Sequence, residues 1–506
     1  MTEKLVRHED RLFSRDPDLL AVARELYSRV SNAPIISPHG HVEAEMLAKN
    51  DNFKDPSDLL VRKDHYLTRV LHGAGVDLAE LGLGTDDYDP KKAWRILADN
   101  WHLFLGTPTR YWLEDQMSLI FEVDRVLSSE TADYIYDQIN EKLTDEKFRP
   151  RQLLESFGVS YLATTDPPHS NLKWHKQLKD EGFSVRVAPT FRPDSLMDPC
   201  SASWKTQVQD FSSSIGVSLE TYQDLKKQIK SRRMFFAMNG ATSTDTGVAD
   251  SRATPAPIQE IERIFKEALA GRPSDQDCKK FRENFLYDLI QMASVDGLVM
   301  QLHAGVKRNH HQETYQSFGP DTGHDLPLRT GFTSELEVAL NEFGVGTNLR
   351  MVLFSVDSNA YGRDIAPLSG FYPSVYTGAP WWFLDHPDEI LSLRKSTTPH
   401  AGFYKTSGFI DDTRALCSIP SRHDMSRRLD SSLLAEQVAT KRISLNDAKK
   451  IADDLVSQIP TETFRLSNSF PMSSGDLGMA EAKKESSVKA GTEQTDNPAN
   501  TTKEWR

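Results

Sequence analysis

The stretch Pro34-Ile35-Ile36-Ser37-Pro38-His39-Gly40-His41 decides how this chain is read. Residues 34–37 are a β-branched run bounded by prolines, which predicts a short buried strand. Two histidines leave its end, separated by one residue. In extended backbone, residues i and i+2 point to the same side. The imidazoles of His39 and His41 then converge on one point, as a divalent metal requires. The competing reading is two polar residues at a strand-to-loop exit, and the pair alone does not choose between them.

Upstream, residues 15–31 carry Leu19, Leu20, Ala23, Leu26 and Val30 at helical spacing. Downstream, 42–156 reads as helix with few strand signals, a large insertion after the first strand. From 157 the texture becomes apolar strand, helix, apolar strand. Strands are predicted at 159–163, 185–188, 234–238, 298–302, 351–354, 376–379 and 409–410. Helices are predicted at 218–230, 257–270, 283–293 and 333–342, with closing helices at 429–439 and 445–456. Such alternation argues for a parallel sheet. With the first strand it makes eight units, so the expected fold is α/β: a distorted (β/α)8 TIM-type barrel with an all-helical insertion. The expected divisions are 1–41 (first helix and strand), 42–156 (insertion), 157–466 (remaining barrel and closing helices) and 467–506 (tail). Almost no apolar periodicity remains in the tail, and 474–506 is expected to be disordered.

Lys plus Arg total 60 against 73 Asp plus Glu, a net charge of −13. That balance argues against nucleic acid as the main partner but leaves room for a locally basic pocket and an anionic small substrate. The three cysteines, Cys200, Cys278 and Cys417, are too few and too far apart to suggest a disulfide framework or zinc ribbon. A reducing cytoplasm is the expected location. The N-terminus lacks an apolar signal core, and no run of 18 apolar residues exists to span a membrane.

Polar residues gather at the predicted strand ends: His39 and His41, Arg192, His303, and Asp412 with Arg414. A histidine pair plus an aspartate suits one divalent ion with positions left for water or substrate oxygens. The segment 234–238 has no lysine to bridge two metals and 351–356 has no histidine, so at most one ion is expected. Arg192 is equally readable as a fork for a substrate carboxylate or as a salt bridge to Asp194. On residue type alone, Asp64-His65-Tyr66 is helix surface, Trp381-Trp382 is core and His310-His311 is a solvated pair.

Taken in order, several blocks resemble the uronate isomerases, a glucuronate/galacturonate isomerase branch of the amidohydrolase-like barrels. These are His39-Gly40-His41, Asp64-His65-Tyr66 with Arg69, Thr164-Thr165-Asp166 and Thr190-Phe191-Arg192-Pro193-Asp194. They continue with Gln301-Leu302-His303-Ala304-Gly305, Gly319-Pro320-Asp321-Thr322-Gly323, Trp381-Trp382-Phe383, Asp412-Thr413-Arg414 and Arg422-His423. The resemblance spans roughly residues 10–460. Its departures are Gly40, Thr246 in place of a histidine, and Asp411 in place of a threonine, which sets two carboxylates side by side where one pKa is expected to rise.

The resemblance implies aldose–ketose isomerisation of a hexuronate, D-glucuronate to D-fructuronate or D-galacturonate to D-tagaturonate, through a cis-enediol. It implies Arg192 with His65 on the substrate carboxylate, and His303, Asp245 and Trp381 lining the sugar. It implies His39, His41 and Asp412 on one divalent ion, Zn²⁺, with a structural or orienting role, and no organic cofactor. Asp412, Arg414 and Tyr66 are the expected catalytic residues, with Tyr66 shuttling the proton as a phenolate favoured by Arg414. A homo-oligomer is expected. The alternatives are a mononuclear metal-dependent amidohydrolase or lactonase, and an inactive sugar-acid-binding barrel.

Overall fold

The computed structural model describes residues 3–467; the tail expected beyond 473 lies outside the described residues. Seven strands run parallel in two sheets. The first sheet holds β1 (Ile35–Ser37), β2 (Val159–Ala163) and β3 (Arg186–Ala188) in that order. A small antiparallel pair, β6 (Val306–Lys307) and β7 (Leu326–Pro327), stands apart from the second sheet. That sheet is ordered β4 (Ser243–Val248), β5 (Val299–Ala304), β8 (Met351–Ser355), β9 (Val375–Thr377).

Single residues link these sheets. Phe191 bridges in parallel to Asp166 on one side and Thr244 on the other, and Thr377 bridges to Thr406. The His41 amide donates to the Thr413 carbonyl at 2.9 Å, so the chain after β1 lies against the segment carrying Asp412.

The insertion is helical as expected, from Ala44–Lys49 to Pro150–Ser156. Its Leu67, Leu71, Trp94 and Leu97 share one apolar core with Ile35 of β1 and Leu162 of β2. Burying that common surface fixes the insertion against the first sheet.

Two predicted strands fail. Residues 234–238 end the helix Tyr222–Met238, which a Thr221/Asp224 capping box starts. Its buried face is Ile229, Arg233 and Phe236, with Met234 and Met238 exposed, a helical period mistaken for an apolar run. The true strand, β4, reads Ser-Thr-Asp-Thr-Gly-Val and is polar yet largely buried. It too lacks a lysine, so the argument against a bridged metal pair passes to it intact. Residues 409–410 form no strand; the nearest pairing is the Thr406 bridge. Strand β5 runs two residues past its predicted end and carries His303 inside the sheet.

The cysteine expectation also fails in part. Cys200 and Cys278 form a disulfide although 78 residues separate them. The first turn of the helix Asp275–Asp296 lies beside the 198–203 loop, and sequence distance says nothing against such a contact. Cys417 stays free and buried, which pushes its thiol up to about 12. Closing so long a loop restricts the unfolded chain, so reduction is expected to cost about 2–4 kcal/mol of stability. Peptide mapping without reductant should find Cys200 and Cys278 linked, and urea titration with and without reductant gives the difference.

Candidate active site

A cavity of about 310 Å³ opens where the strands end, and it is lined by all ten residues expected to act on substrate or metal: His39, His41, His65, Tyr66, Arg192, Asp245, His303, Trp381, Asp412 and Arg414. The loop after β1 brings His39 and His41, β4 brings Asp245 and β5 brings His303. Asp412 sits in a left-handed backbone conformation (φ 40°), unusual for a non-glycine residue and a mark of imposed local geometry.

Asp412 Oδ1 lies 3.2 Å from His39 Nε2 and 2.9 Å from His41 Nε2. The His39 ring stacks on His303 at 4.7 Å. Donor atoms of His39, His303 and Asp412 lie within 4.8 Å of one another. Nδ1 of His39 and Nε2 of His303 are buried without a hydrogen-bond partner. Buried imidazole nitrogens rarely stay unsatisfied, and this donor set suits a divalent ion of the zinc type. His303 Nδ1 is 2.7 Å from Asp245 Oδ1, an outer carboxylate that fixes the ring and leaves Nε2 facing the cluster. The tightest donor set therefore includes His303, expected to line the sugar, while His41 holds Asp412 from the other side.

Burial raises the Asp412 carboxyl's proton affinity, but His39 and then His41 outweigh it and hold the group well below the usual carboxylate range. The upward shift expected from the Asp411–Asp412 pair is thus overturned for Asp412. Asp411 instead turns its Oδ2 to His423 Nε2 at 3.0 Å. A carboxyl that is pushed up, to about 7, is Asp385: burial leads, Arg422 opposes, and Asp411 and Asp412 add.

Arg192 is heavily committed. Its Nε donates to Asp194 at 2.7 Å and its Nη1 lies 3.1 Å from Asp245. The salt-bridge reading of Arg192 is the one the geometry displays. Arg414 is more exposed and pairs with Asp321 at 3.3 Å. Arg308 reaches the same carboxylate at 3.6 Å and lies over the Trp382 ring.

Asp64, the first residue of its motif, is a helix cap. It accepts from the amides of Tyr66 (2.8 Å) and Leu67 (3.4 Å) and so sets His65 and Tyr66 on the first turn of His65–Gly73. The phenolate expectation for Tyr66 is overturned. Burial drives its pKa upward, and the cation opposing this is Arg422, whose guanidinium lies 5.2 Å from the Tyr66 ring. Arg414 is not the phenol's partner. His65 is held neutral: burial, then Arg414, lowers its pKa to about 3.

Sequence reasoning gave no role to Asp321, Arg308, Asp385 or Arg422. Asp321, Arg308 and Arg422 stand inside or beside the blocks that carry the resemblance, and the missing signal is which charge each one meets.

The glucuronate isomerase family model matches residues 13–464. This chain belongs to that family. The uronate isomerase of Corynebacterium efficiens is 43% identical over 470 residues, covering 92% of this chain and all of that protein (100%). The uronate isomerase of Cutibacterium acnes is 42% identical over 469 residues, again 92% of this chain and 100% of its own. The crystal structure of glucuronate isomerase from Caulobacter crescentus superposes with a TM-score of 0.90 at 37% identity, covering 92% of this chain and 98% of that one. An isomerase was the expected enzyme class, and it is the class of the family.

Against that family, Thr246 is buried on β4 with its hydroxyl unpartnered. Nothing in the structure requires glycine at position 40, because an added Cβ would meet no atom closer than 3.5 Å.

The neutral His65 has a consequence for acid stability. Its folded pKa of about 3 lies below the ordinary histidine value of 6.5, so between these limits the unfolded chain takes up a proton that the folded chain refuses. Its contribution is intact above pH 6.5 and is lost as pH falls toward 3. Melting temperature measured across that window should fall less steeply in His65→Gln than in wild type.

Proposed function

We propose that the chain isomerises a hexuronate, D-glucuronate or D-galacturonate, between aldose and ketose through a cis-enediol, on a distorted (β/α)8 barrel. The single-residue bridges at Phe191 and Thr406 and the His41–Thr413 hydrogen bond support closure of the two sheets into that barrel. The observation that carries the functional reading is one cavity in which an anionic Asp412, a buried imidazole cluster and several guanidinium groups meet.

The carboxylate grip expected at Arg192 is reassigned to Arg414, beside His65. Arg192 already has two aspartates on its fork, whereas Arg414 holds only Asp321 at 3.3 Å. An incoming carboxylate can take that place with a charge-assisted pair. Arg192 then serves to hold Asp245, and through it His303.

His39, His303 and Asp412, with His41 alongside, would hold a divalent ion, Zn²⁺ by donor type; when bound it would polarise a sugar oxygen. Asp412, an anion at rest, is the group able to accept the C2 proton and return it to C1. The C2–H electron pair becomes the C1–C2 double bond of the enediol, and its return as a C1–H bond leaves C2 as the carbonyl. Tyr66, kept as a phenol by burial, donates its proton to O1 and recovers one from O2. Trp381 packs against His303 at 4.7 Å and walls the sugar.

Three outcomes follow from this reading. A coupled assay should show ketouronate from glucuronate or galacturonate; turnover of neither removes it. Arg414→Leu should raise KM by about tenfold or more, the worth of a charge-assisted pair, with kcat less affected. An unchanged KM would return the grip to Arg192. Elemental analysis should find about one divalent ion per chain, lost on His39→Asn, as a three-ligand site predicts.

A further inference from the structure

One buried guanidinium ties together three parts of the site. Arg422 stands in the helix Ile419–Ala439 with almost no exposure. Its Nη1 donates to Asp385 Oδ2 at 2.7 Å and to the Asp411 carbonyl at 3.1 Å. Its Cζ also lies 5.2 Å from the centre of the Tyr66 ring and 3.8 Å from that of Trp112. The helix turn that carries the phenol, the residue before Asp412 and Asp385, four residues after Trp381, therefore meet at this one side chain.

Of these contacts, only Asp385 supplies a carboxyl side chain as acceptor. The Asp411 carbonyl is a weaker neutral acceptor, and Trp112 presents a ring face. Asp385 is itself buried, and its Oδ1 has no hydrogen-bond partner, so its one strong contact is Arg422. Without it, the guanidinium would be free to turn within the Trp112 plane and leave the phenol.

We infer that Asp385 is a positioning residue: it aims Arg422 at Tyr66, so that the phenol hydroxyl is held for proton donation to the enediolate oxygen. A guanidinium this close to the phenol favours the charge left on its oxygen and so makes that O–H a stronger acid at the moment of transfer. Asp385 touches neither sugar nor ion in this account. It acts through two side chains in series. The inference rests on the assignment of Tyr66 as the proton donor above.

The test is a double-mutant cycle on the full chain, with kcat and KM for the uronate that the enzyme turns over. Asp385→Asn keeps the shape and an acceptor oxygen but loses the charge; Asp385→Leu loses both. Kcat should fall by about tenfold in Asp385→Asn and further in Asp385→Leu, while KM stays within about twofold, since a proton-transfer contact is lost and substrate binding is not. In a Tyr66→Phe background the same Asp385 changes should cost nothing more. Should Asp385→Leu fail to fold, the near-isosteric Asp385→Asn carries the comparison alone. A wild-type kcat in Asp385→Asn overturns the inference. So does a loss of equal size with and without Tyr66, which would mark Asp385 as structural. If Tyr66→Phe alone keeps its kcat, the assignment of Tyr66 falls and takes this inference with it.

Discussion

The site depends on a single constraint: the Asp412 carboxylate is held between two imidazoles that leave the same strand. His39 and His41 meet one oxygen of Asp412 at 3.2 and 2.9 Å, and the backbone of Asp412 takes a left-handed turn to reach them. Such a conformation costs free energy and persists only where the surroundings impose it. Here they do: the amide of His41 is bonded to Thr413, so the first strand and the segment after the last cannot separate without breaking the contact. Everything else in the cavity is arranged around a carboxylate that burial would neutralise and two histidines keep charged.

The second organising feature is the pairing of buried charge. Removing one partner of a buried ion pair is costly because the other is left uncompensated. The cavity accordingly runs its guanidinium groups onto its own aspartates, Arg192 onto Asp194 and Asp245, Arg414 onto Asp321, Arg422 onto Asp385. These pairs differ in how much they leave for a substrate. Arg422 is buried and Arg192 is half-buried with two aspartates on its fork, so both serve the protein's own groups; Arg414, with one aspartate, suits an incoming anion. In the proposed reaction the acid sugar takes a cation already lodged on a carboxylate that it can replace.

Much of this was legible in the residues. The His-x-His exit of β1 follows from strand geometry, and the insertion and the parallel alternation follow from hydrophobic period. All ten residues expected to act on substrate or metal line one cavity. What failed did so for identifiable reasons. The strand β4 is polar and carries Asp245 to the site, so a search for apolar runs passes over it and takes the end of the preceding helix instead. The cation beside Tyr66 is Arg422 and not Arg414, because proximity across elements is set by packing, which motif spacing does not encode. The Cys200–Cys278 bridge is another such long-range contact. The direction of the Tyr66 and Asp412 shifts required knowing burial and partners together, since a neighbouring charge and desolvation act in opposite senses.

In the proposed reaction the proton moves through the ionised Asp412. The turnover number of Asp412→Asn on D-glucuronate or D-galacturonate tests it most directly, because the amide preserves size and cannot accept the proton. The account predicts a fall in kcat of about 10²- to 10⁴-fold, the usual worth of a positioned acid–base group. A folded Asp412→Asn protein that turns over at the wild-type rate would contradict it.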